Sequence, residues 1–116
     1  MTTMTRDEAI DRLREGGEVA LYATTFPDWA DALKFLPGHM QPGIARWALF
    51  GIYPGDFLTA VIESNLFRAV GKADGTNVKL LPEYCAFFYN YAPSECYGSE
   101  AKAKAWHEKG GIYGFA

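Results

Sequence analysis

The widest apolar stripe in the chain is Leu58, Val61, Ile62, Asn65, Leu66, Ala69 and Val70, recurring at spacings of three and four. That spacing places one face of a helix against a core. Asp56 stands ahead of the stripe as an N-cap, after the turn Tyr53-Pro54-Gly55, and Asp74-Gly75-Thr76-Asn77 follows it. The pattern predicts a long central helix from Asp56 to about Ala73, with Asn65 a polar group inside its apolar face.

Shorter helical patterns surround it. Thr5-Arg6-Asp7-Glu8 is a capping box that opens a helix with a thin stripe, Ala9, Ile10 and Leu13, ended at Gly16-Gly17. Pro27 suits the first turn of a helix to about Phe35, and Pro42 the first turn of another, closed by Gly51. A helix from about Leu81 to Ala92 lies between Pro82 and Pro93. Ser99 caps a last one, Glu100 to Lys109, stopped by Gly110-Gly111.

Two segments alternate instead. In Glu18 to Ala23, Val19 and Leu21 share one side and Glu18, Ala20 and Tyr22 the other; Ile112-Tyr113-Gly114-Phe115 is the second candidate strand. The expected fold is mainly α: a compact bundle of about five helices with a short two-stranded β element from the termini.

Composition narrows the class. With 116 residues, 49% hydrophobic and 22% charged, the chain fits one domain, 1–116, and has no apolar run long enough to span a membrane. A net charge of −3 without a basic stripe argues against nucleic acid as a partner. The charged amino terminus lacks the apolar core of a secretory signal, so a cytoplasmic location is expected. Residues 1–36 carry 11 charges, whereas the longer stretch 37–97 carries only 9. Helices without charged outer faces usually have something covering them, which points to self-association or to a protein partner.

The unusual figure is the 16% aromatic content, with half of the rings at or beyond Tyr84. Tyr84, Phe87, Phe88 and Tyr91 share one helical face while Tyr89 points elsewhere, and Tyr97 and Trp106 follow. Core packing accounts for such a face. A protein interface and a ligand pocket account for it too, since tyrosine offers a large rigid ring and one hydrogen-bonding tip.

Few residues suggest chemistry. Cys85, Cys96, His107 and His39 lack the close pairing of a zinc site, so no metal is expected and no cofactor motif is present. Cys96 with His107 as nucleophile and base, or Asp56 with Glu63 as an acid and base two helical turns apart, are weaker readings than structural roles for the same groups.

From Leu36 onward the chain reads Leu-Pro-Gly-His-Met, then Gly51-Ile52-Tyr53-Pro54-Gly55-Asp56-Phe57-Leu58, then Asn65-Leu66, Ala69 to Asp74, Asn77, Tyr89-Asn90-Tyr91-Ala92-Pro93, Cys96, Gly98-Ser99 and Trp106. This resembles a family of short phage and prophage proteins of unassigned activity, sharing a Gly-Ile-x-Pro-Gly-x-Phe-Leu turn and helix. The resemblance sets residues 36–109 as a family-like helical core and 1–35 as an amino-terminal addition. It implies no catalytic residue.

The leading expectation is therefore a small phage- or prophage-type accessory protein, not an enzyme, that binds a host protein, with inhibition of a bacterial defence system, anti-CRISPR-like in kind, as its task. The alternative is a protein that sequesters a nucleotide-like signal among rings, with Arg46, Arg68 or Lys72 meeting a phosphate. A small hydrolase ranks third. Expected binding residues are Tyr84, Tyr89, Tyr91, Tyr97, Trp106, Asn65, Arg46 and Arg68.

Overall fold

The structure is a computed structural model that describes Glu8, Gly17 and residues 19–112, apart from the side chains of Asp28 and Trp29. The Thr5 cap with its stripe, and the carboxyl-terminal strand candidate beyond Ile112, lie outside the described residues.

Residues 19–25, here α1, are helical, which overturns the expected strand. Leu21 and its neighbour Tyr22 are both fully buried while Ala20 and Thr24 are exposed, a pattern that fits one broad buried face of a helix and not the alternation of a half-buried strand. Thr24 and Thr25 hydroxyls donate back to the carbonyls of Ala20 and Leu21, one turn earlier. Gly17 takes φ +78° yet is itself helical, and the helix expected to end there lies outside the described residues. Among the described residues no strand forms.

Helix α2, Pro27–Leu33, follows directly and ends two residues short of the expected Phe35. A 3-10 turn, Gly38–Met40, then leads into α3, Gln41–Phe50, which has Pro42 in its first turn and is closed by Gly51 at φ +68°. This helix, and not the stripe around Leu58, is central: Ile44, Ala45, Trp47, Ala48 and Leu49 are all buried.

The predicted long helix is two. Helix α4 runs Asp56–Ile62 and α5 runs Leu66–Lys72. Between them Ser64 adopts φ +60°, its amide donates to the Val61 carbonyl, and the Asn65 amide donates to the Ala60 carbonyl at 2.8 Å. Those two bonds around a left-handed residue are a Schellman stop. Asn65 then caps α5, accepting from the Arg68 amide. Asp56 is the first residue of α4, while Gly55 holds the cap position.

Helix α6, Gly75–Lys79, occupies the expected break, because the Asp74 carboxylate accepts from the Asn77 amide at 2.7 Å and starts a helix there. Helices α7, Leu81–Tyr91, and α8, Glu100–Lys109, stand where the prolines and Ser99 predicted, joined by a 3-10 turn, Ser94–Cys96. The described residues thus hold eight α-helices against about five expected. The surplus comes from the helical 19–25 segment, the split stripe and α6.

One contiguous core joins them. It includes Leu21, Tyr22, Phe26 and Leu33 from the amino-terminal third, together with Trp47, Leu58, Tyr84, Phe87 and Trp106. Among the described residues no helix is long and apolar enough to cross a membrane.

Candidate functional site: the outer face of α5 and α7

Helix α7 divides its rings between core and solvent. Tyr84 is fully buried, set edge-on to Phe57 with ring centroids 5.1 Å apart, and its hydroxyl donates to the Asn77 side-chain oxygen at 2.7 Å. Burial pushes that phenol up to about 12, with the Asp74 charge adding to the effect. Phe87 and Phe88 are buried beside it, edge to face. Tyr89 is 77% exposed, and Tyr91 lies at the edge of the core with its carbonyl accepting from the buried Tyr22 hydroxyl.

The expected binding residues therefore separate. Tyr84 and Trp106 belong to the core, the latter donating through Nε1 to the Trp47 carbonyl. Tyr97 is half-buried against Phe88, its hydroxyl 3.4 Å from the Tyr89 carbonyl. Arg46 is half-buried on α3. Asn65 is an exposed helix cap, which removes it from the apolar face that the stripe assigned to it. Arg68 is exposed, 3.9 Å from Asp56. Tyr89 and Tyr91 remain as rings that a partner can touch.

Two shallow grooves flank the outward ridge of α7. The first, about 230 Å³, lies between α4, α5 and the start of α7, and is lined by Val61, Asn65, Leu66, Ala69, Leu81 and Cys85 among others. The second, about 170 Å³, lies between α2 and α7 and is lined by Ala32, Phe35, Leu36, Phe87 and Tyr91 around the single charge of Glu83. Cys85 stands four residues before Tyr89, so the first groove opens onto the same side of α7 that carries the exposed tyrosine. Neither groove joins aromatic rings to an arginine, the combination a nucleotide-like ligand would use.

Beyond the first groove, α5 leaves three large apolar side chains in water: Leu66, Val70 and Phe67, the last 89% exposed. Sequence reading missed this surface by treating Leu66 and Val70 as core positions of one long helix. The available signal was Phe67 itself, a large ring off the apolar stripe and without a place in it.

The residues considered for chemistry have structural employment. Cys96 is fully buried, its carbonyl accepts from Trp47 Nε1 at 2.9 Å, and burial pushes its thiol up to about 12, opposite to the shift that activates a nucleophile. His107 is turned away from it: Nδ1 must be the donor to the Gly51 carbonyl at 2.7 Å, because a carbonyl can only accept, and its ring packs on Tyr53 at 4.6 Å. Asp56 is exposed beside Arg68, and Glu63 caps the end of α4. Cys85 and Cys96 are both free, and among the described residues no three of His, Cys, Asp and Glu gather as metal ligands.

Comparison with known protein families, with curated proteins and with solved structures finds no match to this chain.

Proposed function

We propose that this is a small accessory protein of phage or prophage type that works by binding another protein in the host cytoplasm, and that the bound protein belongs to a bacterial defence system, which it inhibits. The observation that carries the binding reading is the set of large apolar side chains that α5 and α7 leave in water. Phe67, Leu66 and Tyr89 are each more than half exposed, with an apolar groove between the two helices. Large rings left in water on neighbouring helices supply the rigid anchors on which protein interfaces concentrate their binding energy. Among the described residues no comparable convergence of polar or titratable groups supports a reaction centre.

The test is affinity capture from a bacterial host with the native chain and with Tyr89→Ala, Tyr91→Ala and Phe67→Ala variants. The binding reading expects a partner retained by the native chain and lost from the Phe67 and Tyr89 variants, all with native melting behaviour. A captured protein retained equally by all three variants would remove this face from the function. Restoration of defence-system activity in cells carrying the Phe67 variant tests the inhibitory part.

A further inference from the structure

Helices α4 and α5 form a hairpin where the sequence pattern predicts one helix. No glycine or proline stands between Asp56 and Val70, and a straight helix would set Leu66, Ala69 and Val70 on one stripe with Leu58, Val61 and Ile62. In the hairpin that stripe is divided: Leu58 and Ile62 are buried, whereas Leu66 is 61% exposed and Ala69 is the one buried residue of α5. Arg68 lies 3.9 Å from Asp56, a residue that a straight helix would hold about 18 Å away along its axis. The reversal turns on Ser64 at φ +60°, a left-handed value taken without glycine, and on the Asn65 side chain, which accepts from the Arg68 amide. It also leaves the Ile62 carbonyl, which a straight helix would give to the Leu66 amide, to accept from the Gly98 amide at 2.8 Å.

We infer that Ser64 is a hinge through which the chain exchanges halves with a second copy of itself. Residues 56–72 straighten into one helix, and residues 66–112 of each copy pack on residues 19–62 of the other. The occupant is fixed by contacts that one chain already makes. The bonds from Trp106 Nε1 to the Trp47 carbonyl, from Trp47 Nε1 to the Cys96 carbonyl and from the Tyr22 hydroxyl to the Tyr91 carbonyl all cross from one half to the other. So does the packing of Phe57 on Tyr84, and each of these is remade between copies. Straightening releases the left-handed residue, and it gives the Leu66 and Phe67 amides, which lack an intrahelical acceptor in the first turn of α5, the carbonyls of Ile62 and Glu63. Short hinges under strain invite such an exchange. The closed monomer keeps the Gly98 bond and the Asn65 cap instead, so dilution favours the hairpin and high concentration the exchanged pair.

The full chain is held at high concentration just below its melting temperature and cooled, and monomer and dimer are then separated by size-exclusion chromatography with light scattering. Ser64→Ala combined with Asn65→Ala removes the cap and favours helix through the break, and should raise the dimer association constant about tenfold or more over the native chain. Ser64→Gly holds the left-handed turn without its Cβ penalty and should lower it. Asp56→Cys with Arg68→Cys, in a Cys85→Ser background that leaves only the buried Cys96 thiol besides, allows a short bis-maleimide to tie the hairpin shut. The linked chain should stay monomeric while the same chain unlinked dimerises. Should the double alanine variant fail to fold, the native chain compared with its linked and Ser64→Gly forms gives the same decision. A linked chain that dimerises as readily as the unlinked one would overturn the exchange and show intact monomers associating through their surfaces. Native and double alanine chains that stay monomeric at every concentration would overturn it outright.

Discussion

Trp106 Nε1 donates to the Trp47 carbonyl at 2.8 Å, and Trp47 Nε1 in turn donates to the Cys96 carbonyl at 2.9 Å. The two bonds thread α8, α3 and the 3-10 turn after α7 onto one buried line, so the three elements share a single register. Trp106→Phe removes a hydrogen bond and part of a buried ring, and is expected to cost about 2–3 kcal/mol in urea unfolding. The Trp47 carbonyl keeps its bond from the Gly51 amide, which limits the loss. Because both indoles belong to one network, the double variant Trp47→Phe with Trp106→Phe should cost less than the two single losses added together. Strict additivity would mean the two rings pack independently.

The same corner depends on two glycines. Gly51 and Gly111 have φ of +68° and +73°; a Cβ on Gly51 would stand 2.7 Å from the Trp106 carbonyl oxygen, and one on Gly111 would overlap the backbone of Leu49 and Phe50. Gly51→Ala and Gly111→Ala should therefore each destabilise by about 2–4 kcal/mol, from left-handed strain and from backbone displaced in a packed core. Gly71 is the contrasting case, since it lies inside α5 with open space around its missing Cβ. Gly71→Ala should raise stability by about 0.5–1 kcal/mol. Thermal melts of the three variants check the sign as well as the size.

Punctuation was legible in the sequence and periodicity was less so. Pro42 with Gly51, Pro82 with Pro93, and Ser99 with Gly110 mark α3, α7 and α8 because each acts through its own backbone geometry, whatever the chain packs against. The stripe from Leu58 to Val70 misled because spacing reports which positions could share a face and says nothing of a stop between them. Ser64 carries no glycine signature, yet it takes the left-handed position that ends α4. Residues 19–25 misled for another reason: the exposed positions, Ala20 and Thr24, stand one helical turn apart, but Ala20 has no polar side chain to mark that outer face in the sequence. At the candidate site, the outward direction of Tyr89 was readable from its spacing to Tyr84 and Phe88. The exposure of Leu66, Phe67 and Val70 depended on the unseen break.

That break can be strengthened. Left-handed geometry costs a non-glycine residue about 1 kcal/mol, while glycine adds freedom to the unfolded chain that partly offsets the gain. Ser64→Gly should stabilise by about 0.5 kcal/mol, and Ser64→Val, with a branched side chain at φ +60°, should destabilise by about 1–2 kcal/mol. Urea midpoints that moved in the opposite order would show that α4 and α5 form one continuous helix in solution.

Alkaline pH should unfold the protein through groups that burial keeps protonated. The Cys96 thiol is pushed up to about 12 from an ordinary 9.0, Tyr84 to about 12 from 10.0, and Tyr22 is raised as well, all mainly by burial. Above the ordinary values the unfolded chain releases protons that the folded chain retains, so stability is fully present below pH 9.0 and falls as pH rises toward 12. Each retained proton adds a slope of about 1.4 kcal/mol per pH unit. The thiol acts first and the two phenols steepen the loss above pH 10.0. Urea unfolding of Cys96→Ala should show a flatter first leg and an unchanged second one.

The two thiols also report on the groove that carries the functional proposal. Cys85 is exposed and lines it, whereas Cys96 is fully buried beneath Trp47. An aromatic disulfide reagent should therefore modify one thiol per native chain, and the second only after denaturation. Partial burial raises the Cys85 pKa, so its modification near neutral pH should be slower than that of a small free thiol and should speed up in alkali. The reagent leaves a bulky anionic ring beside Leu66 and Leu81. If a partner occupies this groove, the modified protein should lose binding while keeping its melting temperature, and bound partner should protect Cys85 from the reagent. Full binding by the modified chain would place the interface elsewhere on the molecule, with the groove between α2 and α7 around Phe35 and Tyr91 the next surface to examine.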